Sequence, residues 1–106
     1  MVVDDEQLNI EVFQAMLLKL DMPITQANNG VDAIRLIKER LELVRTGKGT
    51  MFKLIFLDYS MPKLNGPSTA RAIRQLLAES EWLADDQSPY ICCCSAYTEE
   101  TYKQRA

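Results

Sequence analysis

Three short apolar runs, Met1-Val2-Val3, Phe52 to Leu57 and Tyr90 to Cys94, and the segment Ile24 to Ala27, which can form a short strand, alternate along the chain with stretches whose apolar residues recur at helical spacing. Strands that alternate with helices pair in parallel, because each helix carries the chain back along the sheet before the next strand begins. The right hand of such crossovers places helices on both faces. After the first run come Asp4-Asp5-Glu6 and then Leu8, Val12, Met16 and Leu20 at fourfold spacing, with Phe13 and Leu17 beside them. This predicts an acidic turn and an amphipathic helix. Met22-Pro23 ends that helix, and Asn28-Asn29-Gly30 supplies a tight turn before a second one, whose expected buried stripe is Val31, Ile34, Ile37, Leu41 and Val44. Thr46-Gly47-Lys48-Gly49 closes it with flexible, polar residues.

The run Phe52 to Leu57 is apolar at nearly every position, the pattern of a central strand covered on both faces, and it ends at Asp58. Ser60 to Gly66 reads as a loop. Pro67 suits the first turn of a third helix bearing Ala70, Ile73, Leu76 and Leu77, and Glu79 to Pro89 reads as a helix end running into a surface loop. The fourth strand closes at Ser95-Ala96, and Thr98-Glu99-Glu100 has the cap and acidic first turn of a further helix. The predicted order is βαβαβαβα, an α/β doubly wound parallel sheet. With 106 residues there is room for one hydrophobic core, and no internal repeat or domain boundary is visible.

The absence of His removes Ser-His-Asp and Cys-His pairs, HExxH zinc sites and any phosphohistidine carried by this chain. Chemistry here has to run on carboxylates, hydroxyls, Lys or metal. Twelve Lys and Arg against 15 Asp and Glu leave a net charge of −3, without the basic excess that direct nucleic-acid binding needs. The 3 Cys form one block, Cys92-Cys93-Cys94, whose side chains alternate in direction along a strand and cannot build a disulfide framework. Unpaired thiols in an apolar run point to a reducing compartment, and no apolar stretch reaches the roughly 20 residues that span a bilayer. A soluble, cytoplasmic domain with no membrane contact of its own is expected.

In a doubly wound sheet the site lies at the carboxyl ends of the strands, near a topological switch point. Three of the predicted strands end there in polar groups: Asp4-Asp5, Asp58 and Ser95. Clustered carboxylates repel and hold a proton at raised pKa, whereas a divalent cation lets all of them ionise. An oxygen-only cluster suits Mg²⁺, and a carboxylate beside it can attack phosphorus to form an acyl phosphate. Taken singly, Asp4 or Asp5 is a helix N-cap, Asp58 a turn residue, Ser95 a cap or strand end, and Cys92 to Cys94 core packing. Independent capping, however, does not predict acidic residues at the ends of just those strands that parallel topology brings together.

Val3-Asp4-Asp5-Glu6, Ala27-x-Asn29-Gly30, Leu57-Asp58-x-x-Met61-Pro62-x-x-x-Gly66 and Ser95-Ala96 resemble, in order, the signatures of a response-regulator receiver domain of the CheY-like type, over nearly the whole chain. The resemblance implies a flavodoxin-like receiver fold and a phosphoacceptor role in a two-component phosphorelay. It makes Asp58 the phosphoacceptor and Asp5 and Asp58 direct Mg²⁺ ligands. Asp4 then works mainly through metal-bound water, Ser60 ligates through its backbone carbonyl, and Ser95 is the switch hydroxyl. The implied partner is a histidine kinase or histidine phosphotransfer domain, and the chemistry is confined to the domain's own phosphorylation and dephosphorylation.

Against that pattern, residues 1–106 are expected to form one incomplete receiver, (βα)4 with the first strand shortened and the fifth strand and fifth helix absent. Lys103 sits in the wrong element to be the Lys that the fifth strand of a receiver carries. A fragment of a larger hybrid kinase is one expected setting, and the open sheet edge makes a homodimer another expected partner. Two other classes stay open at this point. One is an interaction-only pseudo-receiver. The other is a Mg²⁺-dependent phosphohydrolase of the haloacid dehalogenase type, which needs a second Asp where Ser60 stands.

Overall fold

The computed structural model describes residues 1–22, 24–61 and 63–94, with Cys94 described by its backbone alone. Its elements run β1 (Val2–Val3), α1 (Gln7–Leu18), β2 (Gln26–Ala27), α2 (Gly30–Arg45), β3 (Leu54–Asp58), α3 (Gly66–Glu79), a 3-10 turn at Asp85–Gln87 and β4 (Tyr90–Cys94). The four strands form one parallel sheet in the order β2-β1-β3-β4. From β1 the chain moves outward to β2, then returns across β1 to β3, so the direction of progression reverses at β1. The carboxyl ends of β1 and β3 therefore flank a crevice from which the connections diverge.

Alternation along β3 sorts the helices between the two faces. Phe56 points to one side, where the Phe13 ring of α1 meets it with centroids 5.0 Å apart and planes at 32°. Ile55 and Leu57 point to the other, fully buried with Ala33 and Ile37 of α2 and Ala70 and Ile73 of α3. The expectation of a strand covered on both faces is met by this arrangement.

Local chemistry sets where the helices start and stop. Asn29 Oδ1 accepts the Asp32 N–H at 2.8 Å and Asn65 Oδ1 accepts the Ser68 N–H at 2.9 Å. Each such cap contributes about 1 kcal/mol. Pro67 occupies the first turn of α3 as expected. Gly47, at φ +73°, ends α2, with Lys48 N–H on Leu43 O at 2.8 Å and Gly47 N–H on Val44 O at 3.1 Å. A left-handed residue followed by those two bonds satisfies carbonyls that the helix leaves unpaired.

Three readings of the sequence are corrected. The fourfold set on α1 is not its buried stripe: Leu8, Val12 and Met16 are 69%, 53% and 59% exposed, while Ile10 is fully buried and Phe13 and Leu17 are half-buried. Four residues advance about 400°, so such a set drifts around the helix, and Leu8 starts nearly opposite Leu17. On α2 the residues Ile34, Ile37, Leu41 and Val44 keep their inward places, but Val31 is exposed and Gly30 and Ala33 take the buried positions instead. Val31 lies about 100° around the axis from Gly30, off the packed face. The second strand is limited to Gln26–Ala27, since it pairs with β1 only through Val2↔Gln26 and Val3↔Ala27. Between α3 and β4, Leu83 is buried while Trp82 stays 45% exposed.

Candidate functional site

Register places the acidic residues. Val2 and Val3 of β1 pair with Phe56 and Leu57 of β3, so Asp4 and Asp58 leave neighbouring strands at the same end of the sheet. Asp5 follows at the start of the turn into α1. Asp4, Asp5 and Asp58 each bring a carboxylate oxygen to a place where all three lie within 4.8 Å of one another. The three carboxylates differ in surroundings: Asp4 is buried, Asp58 half-buried and Asp5 exposed.

Asp4 is the most tightly held. Its Oδ1 accepts the Glu6 N–H at 3.0 Å and its Oδ2 accepts the side-chain amide of Asn9 at 3.2 Å. The simple cap reading of Asp4 or Asp5 does not hold, because the N-cap of α1 is Glu6 and no side chain caps there. Asp58 accepts a bond from the backbone N–H of Ser60 and shares one with Asp5. Burial, followed by repulsion from Asp4 and then Asp5, pushes its carboxyl up to about 6 against the stabilising pull of that N–H. Repulsion among clustered carboxylates raises such a pKa, and a neighbouring positive charge would let them ionise together.

The loop from Asp58 to α3 is pinned at both ends. Gly66 N–H donates to Tyr59 O at 3.0 Å, and Met61 is buried beneath the loop. A Cβ at position 66 would run into the Asp58 carbonyl and lie 2.9 Å from Tyr59 Cα. Gly66 thus lets the first turn of α3 close directly over the end of β3, which accounts physically for the Gly in the Leu57-to-Gly66 signature.

A groove of about 330 Å³ leads away from the carboxylates between α1 and the sheet, lined by Asn9, Val12, Phe13 and Met16 on one side and by Phe56 and Asp58 on the other. On β4, Cys93 packs against the core and burial raises its thiol pKa, in keeping with a packing role. Ser95, Lys103 and the helix expected from Thr98 lie outside the described residues. Sequence reasoning missed Asn9. It sits in a helical stretch with the spacing of an ordinary solvent-facing polar residue, and only the fold turns its amide onto Asp4.

The donor set is oxygen-only, crowded and partly buried, which fits a small hard cation and not a soft one. No helix among the described residues is long and apolar enough to cross a membrane.

Comparisons with known proteins agree with this geometry. The family model described as response regulator receiver domain matches residues 1–106. Hybrid signal transduction histidine kinase E of Dictyostelium discoideum is 30% identical over 82 residues, 77% of this chain and 4% of that protein. The transcriptional regulatory protein CpxR homolog of Haemophilus influenzae is 32% identical over 76 residues, 72% of this chain and 29% of that protein. The chain therefore spans only a small part of these relatives. Among solved structures, the receiver domain of the Arabidopsis thaliana histidine kinase CKI1 complexed with Mg²⁺ and BeF₃⁻ superposes with a TM-score of 0.80 at 26% identity, covering 97% of this chain and 70% of that one. Matched over its whole length by the family model, with the acidic residues gathered where parallel topology requires, the chain belongs to the response regulator receiver domain family.

Proposed function

We propose that this receiver is a phosphoacceptor in a phosphorelay, in which Asp58 takes a phosphoryl group from a phosphohistidine on a histidine kinase or a histidine phosphotransfer domain. The observation that carries this reading is the Asp58 carboxylate at the open end of β3, with ligand atoms of Asp4, Asp5 and Asp58 all within 4.8 Å. An Asp58 oxygen attacks phosphorus as the donor P–N bond breaks. The bonding pair leaves with the imidazole, which takes a proton from solvent, and Asp58 becomes an acyl phosphate. Attack needs the ionised form, and a carboxyl pushed up to about 6 is largely ionised at neutral pH while still open to competition from a proton.

The residues present fit Mg²⁺, and the Mg²⁺-bound CKI1 receiver supports that choice. Asp5 and Asp58 are assigned as direct ligands with the Ser60 carbonyl, and Asp4 as a partner acting through water, because both its oxygens already accept N–H donors. When bound, the cation offsets the carboxylate charges and those of the incoming phosphoryl oxygens. Ser95 is assigned as the hydroxyl that bonds a phosphoryl oxygen and so switches a partner-binding face.

The unit turns over no external substrate, since its chemistry is confined to gaining and losing the group on Asp58. Residues 1–106 act as a single receiver unit, and the hybrid kinases among its relatives support a setting within a longer kinase in the reducing cytoplasm. The test is mass spectrometry after incubation with acetyl phosphate and Mg²⁺. The parent protein gains one phosphoryl group that hydroxylamine removes, and Asp58→Asn gains none. Persistent labelling of the Asn variant would move the acceptor elsewhere.

A further inference from the structure

Asn9 lies in the first turn of α1, one position before the fully buried Ile10 that pins this helix to the sheet. With Glu6 as the N-cap, Asn9 is the third helical residue, where a polar side chain ordinarily turns back to the N-cap backbone. Its amide instead donates to Asp4 Oδ2 at 3.2 Å, and the Glu6 N–H holds Oδ1 at 3.0 Å. A carboxylate oxygen only accepts, so the NH₂ end of Asn9 is the end that faces it. The two donors grip opposite oxygens of the most buried carboxylate in the triad and fix the plane of that group. Each oxygen keeps room for a water, but the carboxylate cannot rotate to present both oxygens to an ion.

We propose that Asn9 is a positioning residue that sets the cation preference of the site by keeping Asp4 out of direct coordination. The inference rests on the reading that the triad holds a divalent cation. Mg²⁺ demands a compact octahedron and retains several waters, so it is served by few direct carboxylates and by a fixed outer one that orders those waters. Ca²⁺ takes 6–8 oxygens, often with a bidentate carboxylate, and gains from any acid free to swing inward. With the Asn9 donor in place Asp4 favours the first ion. Without it, Asp4 is held through the Glu6 N–H alone, can turn about its Cβ–Cγ bond, and the advantage passes toward the second.

The test is calorimetric titration with Mg²⁺ and, separately, with Ca²⁺ of the parent, Asn9→Leu, Asn9→Gln and Asp58→Asn proteins, together with urea denaturation of each. Asn9 is exposed, so the Asn9→Leu protein, with a side chain of similar size, is expected to fold, its urea midpoint lowered by no more than the loss of the one hydrogen bond to Asp4. It should lose about tenfold in Mg²⁺ affinity, the lower end for outer-shell partners of a metal site, and much less for Ca²⁺. The Mg²⁺-to-Ca²⁺ affinity ratio therefore falls, and Asn9→Gln, which retains a donor, restores part of it. An unchanged ratio in Asn9→Leu overturns the proposal, as does an equal loss for both ions accompanied by a lower urea midpoint, which would make the role of Asn9 structural only. A parent that binds no Mg²⁺, or Asp58→Asn binding as the parent does, overturns the triad reading and this inference with it. That result is distinct from a failure confined to Asn9.

Discussion

Val3 and Leu57 are register partners across the β1–β3 ladder, and the residues that follow them, Asp4 and Asp58, emerge side by side at the carboxyl edge of the sheet. A slip of one residue in that pairing would turn the acid of the slipped strand to the opposite face, away from the other. The site is thus a consequence of strand register, held by two short side chains that are almost wholly buried: Val3 at 1% exposure and Leu57 at 0%.

The raised Asp58 pKa is a stability statement. The folded state binds the proton more tightly, at about 6 against 3.8 unperturbed, so folding is penalised as pH rises through the window from about 4 to about 6 and the penalty is complete above it. Without divalent cation, Asp58→Asn should be more stable than the parent at pH 7, on the order of 1 kcal/mol once solvent screening of this half-buried group is allowed for. The difference should vanish near pH 4, and saturating Mg²⁺ should reduce or reverse it at pH 7. Urea denaturation at the two pH values, with and without Mg²⁺, checks each point.

The roles of Asp4 and Asp5 separate by the same means. If Asp5 is the direct ligand proposed, Asp5→Asn should weaken Mg²⁺ binding by at least about tenfold with little change in urea midpoint. Asp4→Asn should cost less Mg²⁺ affinity but about 1–2 kcal/mol of stability, because an amide offers one acceptor to two N–H donors at a buried place. Equal effects of the two variants in a metal titration would undo the assignment.

Gly66→Ala should destabilise the protein by about 1–3 kcal/mol, because the new methyl meets the Asp58 carbonyl and the Tyr59 backbone. The shift has to be taken up by β3 or by the loop that carries Ser60. A slower rate of labelling by acetyl phosphate should therefore accompany the lower urea midpoint, whereas loss of stability with an unchanged rate would place the strain elsewhere.

Phe13→Ala should cost about 2–4 kcal/mol, since its ring lies on Phe56 and is a main link from α1 to the sheet, with Ile10 beside it. Leu8→Ala, on the far side of the same helix, should change stability by less than about 0.5 kcal/mol. The reverse ranking in thermal melts would restore the fourfold stripe as the packed face.

The alternation of strands and helices, the strand end at Asp58, the turn at Asn28-Asn29-Gly30 and the Pro67 helix start were all determined by the sequence, because each is a local signal complete within a few residues. The face of α1 was not. Nearly every side of that helix carries an aliphatic residue, so periodicity alone has no basis for choosing Ile10, Phe13 and Leu17 over Leu8, Val12 and Met16, and contact with Phe56 makes the choice. Nor could the sequence show Asn9 holding Asp4, or Asp5 sharing a hydrogen bond with Asp58. Those relations join groups whose directions are set only when β1 is placed between β2 and β3. Composition and pattern specify which residues are available for chemistry, whereas the orientation of a polar side chain is settled by neighbours distant in the chain, whose positions exist only once the sheet has formed.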